Sequence, residues 1–247
     1  MINRSTKIGF SNIGGIFIGK NILSDFHKHY ALTVIASFGK SFKLFTPDNN
    51  QEEYQIALIQ KNIDFSLETS KGEYVAFIHI VPYSDAGIRL TDANQPIKEL
   101  DCSKFQDSLT RIKGWFNCDI NTKEAVEGIL HSISLVPDPC NDKPVIDNRM
   151  LNAITLIMDS DDEKLPVDKV SQAVNLSVSQ FNRLFKKETG LTFRRFVLHS
   201  RLIKSVYAMS KNKNLTTASF IGGFSDQPHF TRTFKENFGI KPSKILK

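Results

Sequence analysis

The stretch Phe181-Asn182-Arg183-Leu184-Phe185-Lys186-Lys187-Glu188-Thr189-Gly190 recurs 49 residues later as Phe230-Thr231-Arg232-Thr233-Phe234-Lys235-Glu236-Asn237-Phe238-Gly239. Five positions are identical, in the pattern F-x-R-x-F-K-x-x-x-G. Similarity at a fixed offset marks a repeated structural unit. The two Phe residues of each copy lie four apart, so they share one helix face and predict a buried anchor. The Arg follows the first Phe by two positions, about 200° round the helix, and so projects away from that anchor. Gly190 and Gly239 stand where a helix ends in a left-handed residue.

Each copy is preceded by a polar break, Asn175-Leu176-Ser177 in the first and Gly222-Gly223-Phe224-Ser225-Asp226 in the second. Before each break lies a short helical pattern, Val167–Val174 and Thr216–Ile221. Helix, tight turn and second helix with an outward Arg make a helix-turn-helix, here twice. Phe193, Phe196, Val197, Ile203, Tyr207 and Ala208 predict a long helix between the copies.

On these residues the segment from about Arg149 to Lys247 resembles the DNA-binding domain of the AraC/XylS family of bacterial regulators. Gly223 to Pro242 follows that family's pattern G-F-x-D-x-x-x-F-x-R-x-F-K-x-x-x-G-x-x-P. Ser177 at the first turn and Arg201-Leu202 in the connecting helix match it too. The chain departs from it at Ala218-Ser219, where Ile-Ala is usual, and at Pro228. A Pro fits only the first turn of a helix, with Ser225 or Asp226 as its N-cap.

A recognition helix presents its amino-terminal turns to base edges in the major groove. The candidate base contacts are therefore Ser179, Asn182 and Arg183 in the first copy, and Gln227, His229 and Arg232 in the second. Arg can bind guanine at two points, and Asn or Gln can do so with adenine. Lys186, Lys187, Arg194, Arg195 and Lys235 are candidate phosphate contacts. The charge distribution agrees: residues 148–247 hold 17 Lys/Arg against 8 Asp/Glu, whereas residues 1–147 hold 15 against 18. A basic carboxy-terminal part implies a polyanionic partner.

The rest of the chain reads differently. From residue 8 to about 82, short Ile-, Phe-, Val- and Tyr-rich runs (Gly15–Ile18, Leu32–Ile35, Ser41–Phe45, Tyr54–Ile59, Ile63–Leu67, Tyr74–Ile80) alternate with turn clusters. These predict a sandwich or small barrel. Two helices are expected over about 103–134, the second opened by the capping-box sequence Asn121-Thr122-Lys123-Glu124. The expected fold class is thus α+β. The family resemblance implies that residues 1–136 form a small, cupin-like β-barrel sensor and dimerisation domain with following helices, with the Pro-rich stretch 137–147 as a linker and residues 148–247 as an all-α domain of two helix-turn-helix units. Val126, Ile129, Leu130 and Ile133 are the candidate dimer surface.

His27-Lys28-His29 has the His-x-His form of metal-binding cupins, but no Glu follows until Glu52. A usable metal site needs more ligands than this, so neither metal nor cofactor is expected, and the pair is placed at a pocket rim or the surface. Cys102, Cys118 and Cys140 make no Cys-x-x-Cys pair and predict neither disulfide framework nor zinc site. The amino terminus lacks a signal-like apolar run, and no stretch is long and apolar enough for a membrane span. The expectation is a cytoplasmic, non-enzymatic transcription regulator, dimeric and effector-responsive. Its partners are double-stranded DNA, a second copy of the chain, a small-molecule effector and RNA polymerase. The alternative is a small-molecule-binding or metal-dependent cupin-type protein whose basic domain serves another interaction.

Overall fold

The computed structural model describes residues 6–11, 14–136, 146–160, 165–211 and 213–244. The chain clusters into two compact units, Met1–Lys143 together with Thr231–Lys247, and Pro144–Phe230. Most of the expected linker, and Cys140, lie outside the described residues.

Among the described residues the first unit is built on ten antiparallel strands in two sheets. One holds β1 (Thr6–Ser11), β2 (Gly14–Lys20), β9 (Tyr74–Ile80), β4 (Leu32–Ser37), β7 (Ile56–Ile59) and β10 (Ile97–Glu99), in that order. The other holds β3 (His27–Lys28), β8 (Asp64–Glu68), β5 (Phe42–Phe45) and β6 (Gln51–Tyr54). Among the described residues these sheets stay separate, so the expected barrel is an open two-sheet sandwich. The reason lies at Gln55. The run Tyr54–Ile59 was expected as one strand, but the chain changes sheet there, leaving Tyr54 in β6 and Ile56 in β7.

The side-chain alternation of the larger sheet assigns each residue to one of two cores. Ile35, Ala57, Ile59, Val75 and Phe77 meet Phe42, Leu44, Phe65 and Leu67 of the smaller sheet. Val34, Ala36, Ile56, Leu58, Ala76 and Ile78 face the opposite way. Helices α1 (Asp85–Leu90), α2 (Cys102–Asn117) and α3 (Thr122–Ser134) cover that second face. Every residue of β4 is therefore buried. At Gly9 the indole of Trp115 comes so close that an added Cβ would lie 2.5 Å from it. Among the described residues Cys102 and Cys118 form no disulfide.

The stripe offered for dimerisation is used here. Val126, Ile129 and Ile133 are buried in the core between α3 and the sheet, Ile129 at 1% exposure, and Leu130 is partly buried against the same core. Asn121 caps α3, its side-chain oxygen accepting from the Glu124 backbone N–H at 3.1 Å. Its amide also donates to the Glu124 carboxylate at 2.6 Å.

The second unit is helical: α4 (Asn148–Asp159), α5 (Val167–Ala173), α6 (Val178–Thr189), α7 (Phe193–Ser210) and α8 (Leu215–Ile221). The boundary between the units falls inside α9 (Gln227–Phe238), which is followed by the short 3-10 turn Pro242–Lys244.

Truncating a buried Ile to Ala typically removes about 2–5 kcal/mol. Ile129→Ala is expected to lower the urea midpoint read by the fluorescence of Trp115, the single tryptophan of the chain. Light scattering on the same samples should show an unchanged association state. A changed association state with full stability would return this stripe to an interface role.

Candidate nucleic-acid interface

The first copy is a closed local construction. After α5, Asn175 takes a left-handed conformation (φ 55°), and the Leu176 N–H donates back to the Ser171 carbonyl at 2.9 Å. Ser177 then caps α6. Its hydroxyl accepts from the Gln180 backbone N–H while the Gln180 side chain accepts from the Ser177 N–H, a complete capping box. Phe181 and Phe185 are fully buried, 5.2 Å apart between ring centroids. They meet Phe193 and Phe196 of α7, with Phe185 and Phe196 edge to face at 5.3 Å. The helix stops at Gly190 (φ 81°), whose N–H donates to the Lys186 carbonyl. With this face anchored, Ser179, Asn182, Arg183, Lys186 and Lys187 are all exposed, as are Arg194 and Arg195 in the first turn of α7.

The second copy keeps the register with different parts. Asn214 caps α8 through the Thr217 N–H. Gly222 is a packing requirement, since a Cβ there would lie 1.9 Å from the Ser205 hydroxyl and 2.6 Å from the Arg201 carbonyl of α7. Ala218 and Ser219, the departure from the family pattern, are both fully buried. The Ser219 hydroxyl donates to the Thr216 carbonyl at 2.7 Å, which satisfies it inside the core. Asp226 is the N-cap of α9, its carboxylate accepting from the His229 N–H at 2.7 Å. Pro228 thus occupies the first turn, where its missing N–H leaves no broken bond. Phe230 and Phe234 are buried, and Phe230 packs on Phe224 at 5.4 Å.

The three candidate reading residues of α9 differ in freedom. Arg232 is exposed. Gln227 is half-buried, its side-chain oxygen accepting from the Thr216 hydroxyl at 2.7 Å. His229 is half-buried with its ring edge to face on Phe224 at 5.2 Å. Thr216 is a residue the sequence did not single out. It holds Gln227 from eleven positions away, and no periodicity signals such a contact.

Lys235 is exposed, but its ammonium pairs with the Asp25 carboxylate at 2.5 Å. That hydrogen bond and charge hold the Asp25 carboxyl below the usual carboxylate range. A phosphate reaching Lys235 would compete with this partner. The Asp25 N–H also donates to the Gly239 carbonyl at 2.9 Å, and the Phe238 ring lies 5.7 Å from His29 and 5.8 Å from His79. His27 and His29, expected at a rim or the surface, are buried at 6% and 7% exposure. His27 Nδ1 donates to the Asp25 carbonyl at 2.8 Å, so its Nε2 accepts from His29 Nε2 at 3.1 Å. Burial lowers the His27 pKa. Among the described residues no group of three His, Cys, Asp or Glu side chains is arranged to hold a metal ion.

Two capped, Phe-anchored helices with outward basic residues are the geometry of a duplicated helix-turn-helix. Residues 170–247 match a protein family described as a helix-turn-helix domain. The carboxy-terminal segment is an AraC-type helix-turn-helix domain. It is similar to the HTH-type transcriptional regulator MtrA of Neisseria gonorrhoeae, 29% identical over 102 residues, which is 41% of this chain and 34% of that protein. It is also similar to the Msm operon regulatory protein of Streptococcus mutans, 34% identical over 84 residues, which is 34% of this chain and 30% of that protein. The chain thus spans about a third of the length of these relatives. The whole fold resembles ToxT from Vibrio cholerae. A ligand-bound structure of it from strain O395 aligns with a TM-score of 0.63 at 17% identity, over 98% of both chains. Another structure, of wild-type ToxT with an unsaturated fatty acid bound, aligns at 0.55 and 15% identity, over 99% of this chain and 95% of that one.

The AraC-type domain carries its own acid sensitivity. Desolvation pushes His199, on α7, down to about 4 from its ordinary 6.5. A base whose folded pKa is depressed contributes stability that is complete above the unfolded pKa and is lost as pH falls toward the folded one. Between pH 7 and pH 4 this residue is expected to remove up to about 3 kcal/mol. Replacing it, as His199→Leu, should flatten that part of the pH dependence of the unfolding midpoint. An unaltered acid limb in the variant would assign the loss to other groups.

Proposed function

We propose that the chain is a sequence-specific DNA-binding transcription regulator acting in the cytoplasm, and that α6 and α9 read two successive major grooves on one face of the duplex. The observation that carries this reading is the repeat in register: each helix opens on a side-chain cap, buries two Phe residues four apart and turns an Arg outward. Successive major grooves lie about 34 Å apart, a span that two recognition helices on one chain can bridge. The basic balance of residues 148–247 supports the same partner, because phosphate neutralisation supplies most non-specific affinity.

In this reading Arg183 and Arg232 contact bases, together with Ser179, Asn182, Gln227 and His229. Lys186, Lys187, Arg194, Arg195 and Lys235 contact phosphates. The sandwich unit receives a small-molecule effector, supported by its likeness in fold to ToxT, of which one structure holds an unsaturated fatty acid. The regulator works as a homodimer and engages RNA polymerase. Since Val126, Ile129 and Ile133 are buried within one chain, the dimer contact uses other residues of the sandwich unit.

Selection from a random duplex pool, followed by fluorescence anisotropy, tests the reading. Arg232→Ala should lose about 1–3 kcal/mol on the selected sequence and much less on scrambled DNA. Equal loss on both would reduce Arg232 to a phosphate contact. Lys186→Ala should weaken both duplexes alike and make the salt dependence shallower by about one.

A further inference from the structure

The two caps fix a register that the sequence repeat alone leaves unstated. Ser177 accepts from the backbone N–H of Gln180 and Asp226 from that of His229, so Gln180 and His229 are both third residues of their helices. Val178 and Gln227 are then both first residues, 49 positions apart like the rest of the repeat. Gln227 is a polar residue suited to a base edge. Its counterpart is a branched hydrocarbon, exposed at 38%.

Val178 has no evident place in the helix's own construction. The capping box is made by Ser177 and Gln180, and the buried anchor by Phe181 and Phe185. It stands one turn before Asn182, on the same face, and next to the exposed Ser179. An isopropyl group has no hydrogen bond to give a phosphate, and beside one it would displace water without replacement. On the base edges of the major groove the complementary apolar group is the C5-methyl of thymine.

We propose that Val178 is a specificity-determining residue that packs on a thymine methyl group in the DNA site of α6. This rests on the DNA-reading function argued above and adds a base preference to it. The first recognition helix then opens by reading a methyl group, and the second opens with an amide.

The experiment uses the full chain and the duplex selected from the random pool. Each thymine of the α6 half-site is replaced singly by deoxyuridine, which removes only the methyl group. At one position the wild-type protein should lose about fourfold in affinity, the worth of one buried methyl. Val178→Ala should lose a similar factor on the thymine duplex and bind the thymine and deoxyuridine duplexes equally. Arg232→Ala, altered in the other helix, should keep the wild-type sensitivity. The assignment is overturned if the wild type is indifferent to deoxyuridine at every position, or if Val178→Ala stays as sensitive as the wild type. A selection that enriches no sequence overturns the DNA-reading function itself, and this assignment with it. Val178→Ala should fold normally, since the position is exposed and Ala favours helix, and circular dichroism checks this.

Discussion

Two phenylalanines four residues apart fix which way each candidate reading helix faces. In α6 the rings of Phe181 and Phe185 are locked among Phe193 and Phe196, so the helix cannot rotate without opening an aromatic core. Arg183 is outward because Phe181 and Phe185, two positions to either side of it, are inward. The same holds for Arg232 between Phe230 and Phe234. Packing in the core thus sets the chemistry of the surface. The caps complete the constraint, since Ser177 and Asp226 set the first residue of each helix and Gly190 and Gly239 close the last turn.

The sandwich unit obeys a different constraint, the need to cover both faces of its larger sheet. The smaller sheet covers one face and three helices the other, which is why β4 is buried throughout. It also explains the fate of the α3 stripe. A helix laid on a sheet needs one apolar face for the sheet itself, and Val126, Ile129 and Ile133 provide it.

The helix-turn-helix segment was legible because its signals are local and doubled. Phe spacing, cap residues and terminal glycines act within one helix, and the second copy repeats them. The long strands were legible for the same local reason. What escaped depends on contacts distant in sequence. The edge strand β1 has polar Thr6, Lys7 and Ser11 with Gly9 opposite Trp115, so it shows no apolar run. Strands β3 and β10 are too short to show a period. The corner at Gln55 is hidden because burial alternates through it, with Tyr54 and Ile56 inside and Gln55 outside. The burial of His27 and His29 arises from Phe65, His79 and Phe238, none of them neighbours in the chain.

The hydrogen bond from Thr216 to Gln227 has a consequence for conformational entropy. A free glutamine has many rotamers and must give them up to make an oriented contact. Gln227 is held from behind by a hydroxyl on the preceding helix, so much of that freedom is already gone before any partner arrives. Val178, at the equivalent place in the first helix, reaches a similar condition by covalent means, because branching at Cβ leaves essentially one χ1 in a helix. Both helices therefore present a leading side chain with few states left to lose, one restrained by a neighbour and the other by its own carbon skeleton.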